Sequence, residues 1–200
     1  MEEHDTLRLV VRVFDRGGDS IPGAAIRLVV LDTALLAVDS ADQAVVGLKP
    51  GSNARVVAMS GSLRSDPLAI QVLATADSVA ATGAAVDTLT GSDSASAPLA
   101  VTLLDLHSVP GQATPLANRP VTFAIVQPVF ASRDSATAVL GNDSLTARTT
   151  TAAGGVASVT VKRRGKGAVQ PDSVVVQATA RRASGAAVPG SPVRFVVRFR

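Results

Sequence analysis

The chain has 200 residues, 46% hydrophobic and only 2% aromatic, with no Cys, Trp or Tyr; this supports one large or two small domains with cores of β-branched and small side chains, and it excludes disulfides, thiolate metal sites and a cysteine nucleophile. The formal net charge is +3. It is unevenly spread, since residues 1–75 hold 7 basic and 9 acidic side chains and residues 76–200 hold 12 and 7, so the second stretch is expected to present a positive surface.

The opening Met1-Glu2-Glu3-His4-Asp5 is acidic where a signal peptide carries a basic stretch and an apolar run. From Leu7 the dominant signal is period-two alternation in short runs broken by Gly, Pro, Asp and Ser, the pattern of an all-β sandwich. Leu7, Leu9, Val11 and Val13 share one face against Arg8, Val10 and Arg12, and Asp15-Arg16-Gly17-Gly18-Asp19 reads as the following turn. Further strands are predicted at residues 26–30, 35–38, 44–48, 54–59 and 67–73. The apolar stretch 24–46 is interrupted by Arg27, Asp32, Asp39 and Asp42, so it does not reach the roughly 18 uncharged residues of a membrane span.

After a junction near Ala74-Thr75-Ala76 the pattern restarts, giving predicted domains at 1–75 and 76–200. The second holds predicted strands at 78–88, 99–106, 120–126, 136–140, 144–150, 155–162, 173–180 and 193–200, with a loop at 91–97. A weak internal repeat supports the division. Ile21-Pro22-Gly23-Ala24-Ala25-Ile26-Arg27-Leu28-Val29-Val30 aligns with Leu116-Ala117-Asn118-Arg119-Pro120-Val121-Thr122-Phe123-Ala124-Ile125, and each follows a Val-rich strand ending in Asp, at Asp15 and Asp105.

These residues resemble the bacterial immunoglobulin-like families. Val11-Arg12-Val13-Phe14-Asp15, Ile21-Pro22-Gly23-Ala24 and Val45-Val46-Gly47-Leu48-Lys49-Pro50-Gly51 ahead of Ala54-Arg55-Val56 are similar to the group 2 type. Val101-Thr102-Leu103-Leu104-Asp105, Pro120-Val121-Thr122-Phe123 and Thr150-Thr151-Ala152-Ala153-Gly154-Gly155-Val156-Ala157 are similar to the group 1 type of invasin-like and intimin-like proteins. The resemblance implies two tandem immunoglobulin-like Greek-key β-sandwiches, with roles as spacers or adhesive modules on bacterial surfaces. It also implies that the first domain lacks its opening strand, because the family places a strand and turn ahead of the one that begins here at Leu7. Such a sandwich leaves an edge that a neighbouring chain can cover.

No enzymatic constellation emerges. His4 and His107 are the only histidines, and neither has a second ligand-type residue at metal-site spacing; Asp105 beside His107 makes no zinc site or triad. Ser60-Gly61-Ser62 and Gly51-Ser52 lack the spacing of a nucleophile elbow. Asp15-Arg16-Gly17-Gly18-Asp19 and Asn142-Asp143-Ser144 lack the alternating acidic ligands of a calcium loop. No cofactor, metal or small-molecule substrate is therefore expected. The cluster Lys162-Arg163-Arg164-Gly165-Lys166 is placed on a turn, and without Tyr or Trp platforms beside it no nucleic-acid binding is expected.

The expected function is that of a non-catalytic accessory or scaffold subunit in the periplasm or at the cell surface, although no signal peptide is present in this sequence, that docks on a larger envelope or membrane-associated protein complex. An anionic membrane surface is a further expected contact for the basic side chains. The candidate partner-binding residues are Leu7, Arg8, Val10 and Arg12 at the incomplete edge, and Lys162, Arg163, Arg164, Lys166, Arg194 and Arg198 on the basic side. The alternative is a spacer or adhesive fragment of an invasin-like adhesin.

Overall fold

The computed structural model describes residues 1–41, 43–90, 95–164 and 171–200. All its regular structure is β. The chain divides into two compact units, Met1–Thr75 and Ala76–Arg200.

The first unit contains β1 (Thr6–Arg8), β2 (Arg27–Val30), β3 (Leu36–Asp39), β4 (Ala44–Gly47), β5 (Gly51–Ser60), β6 (Leu63–Arg64) and β7 (Leu68–Val72). One sheet has the order β1-β4-β3; in the other, β5 pairs with β2 on one side and with β6 and β7 on the other. All these pairings are antiparallel, and the chain crosses between sheets as a Greek key does. Alternation explains the core, because one face of each strand must leave water. Leu28, Leu36, Val45, Ala54, Val56, Ile70 and Val72 form it, with Met1, Leu9, Val11 and Val30 packed against it.

The second unit contains β8 (Ser78–Thr82), β9 (Val86–Leu89), β10 (Leu99–Asp105), β11 (Thr114–Pro115), β12 (Pro120–Gln127), β13 (Ala138–Leu140), β14 (Thr146–Thr150), β15 (Val156–Val159), β16 (Val161–Arg163), β17 (Ser173–Ala180) and β18 (Val193–Phe199). One sheet is built on β10, flanked by β8, β15 and β11. A second has the order β14-β12-β17-β18-β9, with β9 parallel to β18, and β13 and β16 pair in a third of two strands. Phe123, Phe195, Leu99, Leu103 and Val176 are buried between these faces. In both units the strand connections are those of an immunoglobulin-like sandwich.

Five elements differ from the sequence reading. The run predicted from Leu7 is a strand only over Thr6–Arg8, because its partner β4 is consumed by Leu9, whose N–H reaches the Gln43 carbonyl. The predicted strand 78–88 is two strands. β8 belongs to the β10 sheet and β9 to the β18 sheet, and Gly83 at φ 88° makes the switch. The predicted strand 155–162 likewise breaks at Thr160 as pairing passes from β10 to β13. The short strands β6 and β11 leave no signal in the sequence, since two residues carry no period.

Candidate binding surfaces

The two groups of candidate residues lie in different settings. At the edge of the first unit, Leu7 and Arg8 belong to β1, while Val10 and Arg12 follow it in extended backbone. Leu7 is 37% exposed and Val10 is 88% exposed; Arg8 and Arg12 are also exposed. Leu7 and Leu9 turn their backbone toward β4. The turn expected after this run is present: one carboxylate oxygen of Asp15 accepts the N–H of Gly17 at 2.8 Å and of Asp19 at 2.9 Å, satisfying the tight loop locally.

Chain entry is unusual. Glu2 makes a parallel bridge to Leu73, and a turn through His4, at φ 65°, carries the chain over to β1. Gly47 permits this approach, because a Cβ there would stand 2.9 Å from the Glu2 carbonyl oxygen.

The basic candidates of the second unit do not form one free cluster. Lys162 and Arg163 lie within β16 rather than on a turn, because residues 161–163 pair with β13. Lys162 donates from Nζ to the Gly141 carbonyl at 3.1 Å. Arg163 alternates to the other side, half-buried, with its guanidinium 5.2 Å from the centre of the Phe199 ring, a cation–π contact. Arg164 donates to the Arg133 carbonyl at 2.8 Å. Lys166 lies outside the described residues.

Arg194 and Arg198 are exposed on β18, on the face opposite the buried Phe195 and Val197. The same outer face holds an arginine that the sequence reading did not single out. Arg148 of β14 is in register with Thr122, which is in register with Thr179. With Pro120 and Arg181 these residues line a concavity of about 410 Å³. Arg194 is in register with Gln177, and Arg198 with Ser173 and Thr88. The outward positions of these five strands carry Thr, Ser, Gln, Val, Ala, Pro and Arg and no acidic residue. Among the described residues Arg148, Arg194 and Arg198 have no ion-pair or side-chain hydrogen-bond partner. The signal that could have found Arg148 is period two in Thr146-Ala147-Arg148-Thr149-Thr150, where Ala147 is buried and its neighbours face outward.

His107 pairs with Asp77 rather than Asp105, Nδ1 to Oδ2 at 2.7 Å. That bond, followed by the charge of Asp77, raises the imidazole above its ordinary 6.5. Burial would push the Asp105 carboxyl up, but Ser108 and the His107 N–H bind the ionised form and hold it below its ordinary value. Asp105 thereby caps the turn after β10 as Asp15 caps the one after residue 13. No hydroxyl hydrogen-bonds to His107, and no group of three or more metal-ligating side chains occurs among the described residues.

No family model matches the chain, and no curated protein does. Solved structures give distant likenesses. Domains 4–9 of the surface layer protein SbsC match at 18% identity and a TM-score of 0.36, over 98% of this chain and 25% of that one. The Yersinia pseudotuberculosis adhesin InvE matches at 17% and 0.39, over 94% and 52%. The D00–D0 domain of intimin matches at 23% and 0.36, over 100% and 94%. The chain thus spans about a quarter of the SbsC fragment and about half of InvE. These likenesses concern the all-β fold alone.

Proposed function

We propose that this chain is a non-catalytic, extracytoplasmic accessory subunit that docks on a larger envelope or membrane-associated protein complex. The observation that carries the reading is the outer face of the β14-β12-β17-β18-β9 sheet, where among the described residues Arg148, Arg194 and Arg198 have no partner and the outward positions hold no carboxylate. Uncompensated like charge destabilises the isolated unit slightly. It becomes favourable when an acidic partner surface covers it, and arginine suits such contacts because its planar fork binds carboxylates in two places. The alternative, a spacer or adhesive module of an invasin-like surface protein, is supported by the tandem arrangement of two sandwiches.

The test is cross-linking of native envelopes followed by purification through this chain. The expected result is a co-purifying protein partner with an interface above about 1,000 Å², released by raised salt and lost when Arg148, Arg194 and Arg198 are all changed to Glu. A chain that stays monomeric and unbound in those extracts sinks the reading, and capture by anionic lipid vesicles alone replaces the protein partner with a membrane surface.

A further inference from the structure

The second unit holds a strand for which the described residues of the first unit show no counterpart. There the opening strand β8 lies antiparallel along β10, with Ala100, Val101, Thr102, Leu103 and Leu104 opposite Thr82, Ala81, Ala80, Val79 and Ser78. β8 is also held by the turn before β18: the Val79 N–H donates to the Pro189 carbonyl at 2.9 Å. Aligning the two acidic turns, Asp15 on Asp105, puts residues 10–14 where residues 100–104 stand. In the first unit Val13 accepts the Ile21 N–H and Phe14 bridges to Ser20, as β10 pairs with β11, and among the described residues no strand takes the place of β8. Among the described residues the main chain of Val10, Val11 and Arg12 makes no hydrogen bond, although extended backbone without a partner is a template for another strand.

The space beside this stretch is apolar and open. One hollow of about 330 Å³ lies among Val11, Phe14, Ile26, Met59 and Leu63, and a second of about 270 Å³ among Leu9, Leu28, Val56, Ala58 and Leu68. They share Val11, Arg12, Ala58 and Ser65, so they form one cleft. Ser65 leads into β7 as Pro189 leads into β18, which places the cleft where β8 sits in the second unit. Its rim is cationic, with Arg12 and Arg64 and no acidic residue lining either hollow. Neither arginine has an ion-pair partner among the described residues.

We propose that the first unit accepts an extended strand from a partner protein, laid antiparallel along residues 10–14, with small or β-branched side chains entering the cleft and a carboxylate opposite Arg12. The proposal rests on the docking reading and names the site and the chemistry of its occupant. The β8 register sets the pattern: the residue opposite Val13 points inward as Val79 does, buried to 3% exposure, and the residue opposite Arg12 stands where Ala80 stands, facing out. An opposite-charge cross-strand pair at that position favours one partner over another.

The probe is a capped peptide carrying residues 78–82 between glycines with Ala80→Glu, added to the 200-residue chain and followed by amide hydrogen exchange. Exchange across residues 10–14 is expected to slow at least tenfold at millimolar peptide. The same peptide with Ala80→Lys is expected to bind at least threefold more weakly, and Arg12→Glu is expected to reverse that order. Arg12 is exposed and has no ion-pair partner among the described residues, so its substitution leaves the fold in place, and the two peptides on the unsubstituted chain form a test of their own. No slowing with either peptide overturns the proposal, as does equal binding of both. Slow exchange at residues 10–14 before any peptide is added means that the strand comes from the same chain, and also overturns it. A cleft that refuses the peptide in a protein that still co-purifies with an envelope partner removes the strand and leaves the docking reading standing. Peptide uptake without any envelope partner does the opposite.

Discussion

Asp77 has a side chain only 9% exposed, yet its carboxylate meets the imidazole of His107, the guanidinium of Arg182 at 3.4 Å and the N–H of Leu106 at 3.0 Å. These partners fix the loop after β10 onto the start of β8. His107 itself is 82% exposed, so solvent screens the pair, but the direction of its titration is set. The folded protein holds the imidazolium more tightly than an unfolded chain does, so the contribution to stability is complete below the ordinary pKa of 6.5 and is lost as pH rises through the higher folded value. Nuclear magnetic resonance titration of His107 is expected to give a midpoint above 6.5, and Asp77→Asn is expected to move it down. A midpoint unmoved by that substitution contradicts the pairing. The sequence offered Asp105 as the neighbour of His107, because adjacency along the chain is visible there. Asp77 is 30 residues away, and only the pairing of β8 with β10 brings it near.

At the scale of elements, β8 illustrates how a strand is held in place. The turn before β18 passes so close to it that a Cβ on Gly190, at φ 88°, would stand 2.2 Å from the Val79 carbonyl oxygen. An L side chain there meets both a disfavoured backbone and a main-chain clash. Gly190→Ala is therefore expected to destabilise the second unit by roughly 2 kcal/mol or more, read by denaturant unfolding, whereas Gly185→Ala at the same φ, with open space around it, is expected to cost less. Equal losses would mean that the close approach of β8 is not a real constraint. Strands buried on one face were legible because period two marks them: in β17 every second residue is buried along its whole length. What the sequence concealed was strand switching. Residues 78–88 and 155–162 each read as one alternating run, and each divides between two sheets. Alternation reports which face is buried, not which neighbour supplies the hydrogen bonds. The candidate edge residues Leu7, Arg8, Val10 and Arg12 were named because a strand was expected to be missing beside them. Lys162, Arg163, Arg164 and Lys166 stand out by local charge density, which ignores that successive residues of a strand face opposite ways; Arg163 therefore packs on Phe199 while Lys162 points outward.

For the whole chain, the two units carry unequal stabilising resources. The first, Met1–Thr75, is small enough to bury only about 60% of the surface its unfolded chain exposes, and among the described residues no strand covers the cleft beside residues 10–12. Phe14, Leu63 and Leu68 are each more than half exposed there. Burial contributes about 25 cal/mol per Å² of apolar surface, so a cleft open to water forfeits part of that term while the cost of ordering the backbone is unchanged. The second unit, Ala76–Arg200, is larger, has its opening strand in place, and buries both phenylalanines of its central strands completely. Heating is accordingly expected to melt the chain in two steps, the first unit before the second. Hydrogen exchange on approach to the first transition assigns the order: amides of β2 and β5 are expected to lose protection while those of β12 and β17 retain it. A strand bound in the cleft binds only the folded first unit and so raises the lower transition, leaving the upper one where it was. If β12 and β17 open first, or if all four strands lose protection together, the difference in completeness between the units does not govern their stability.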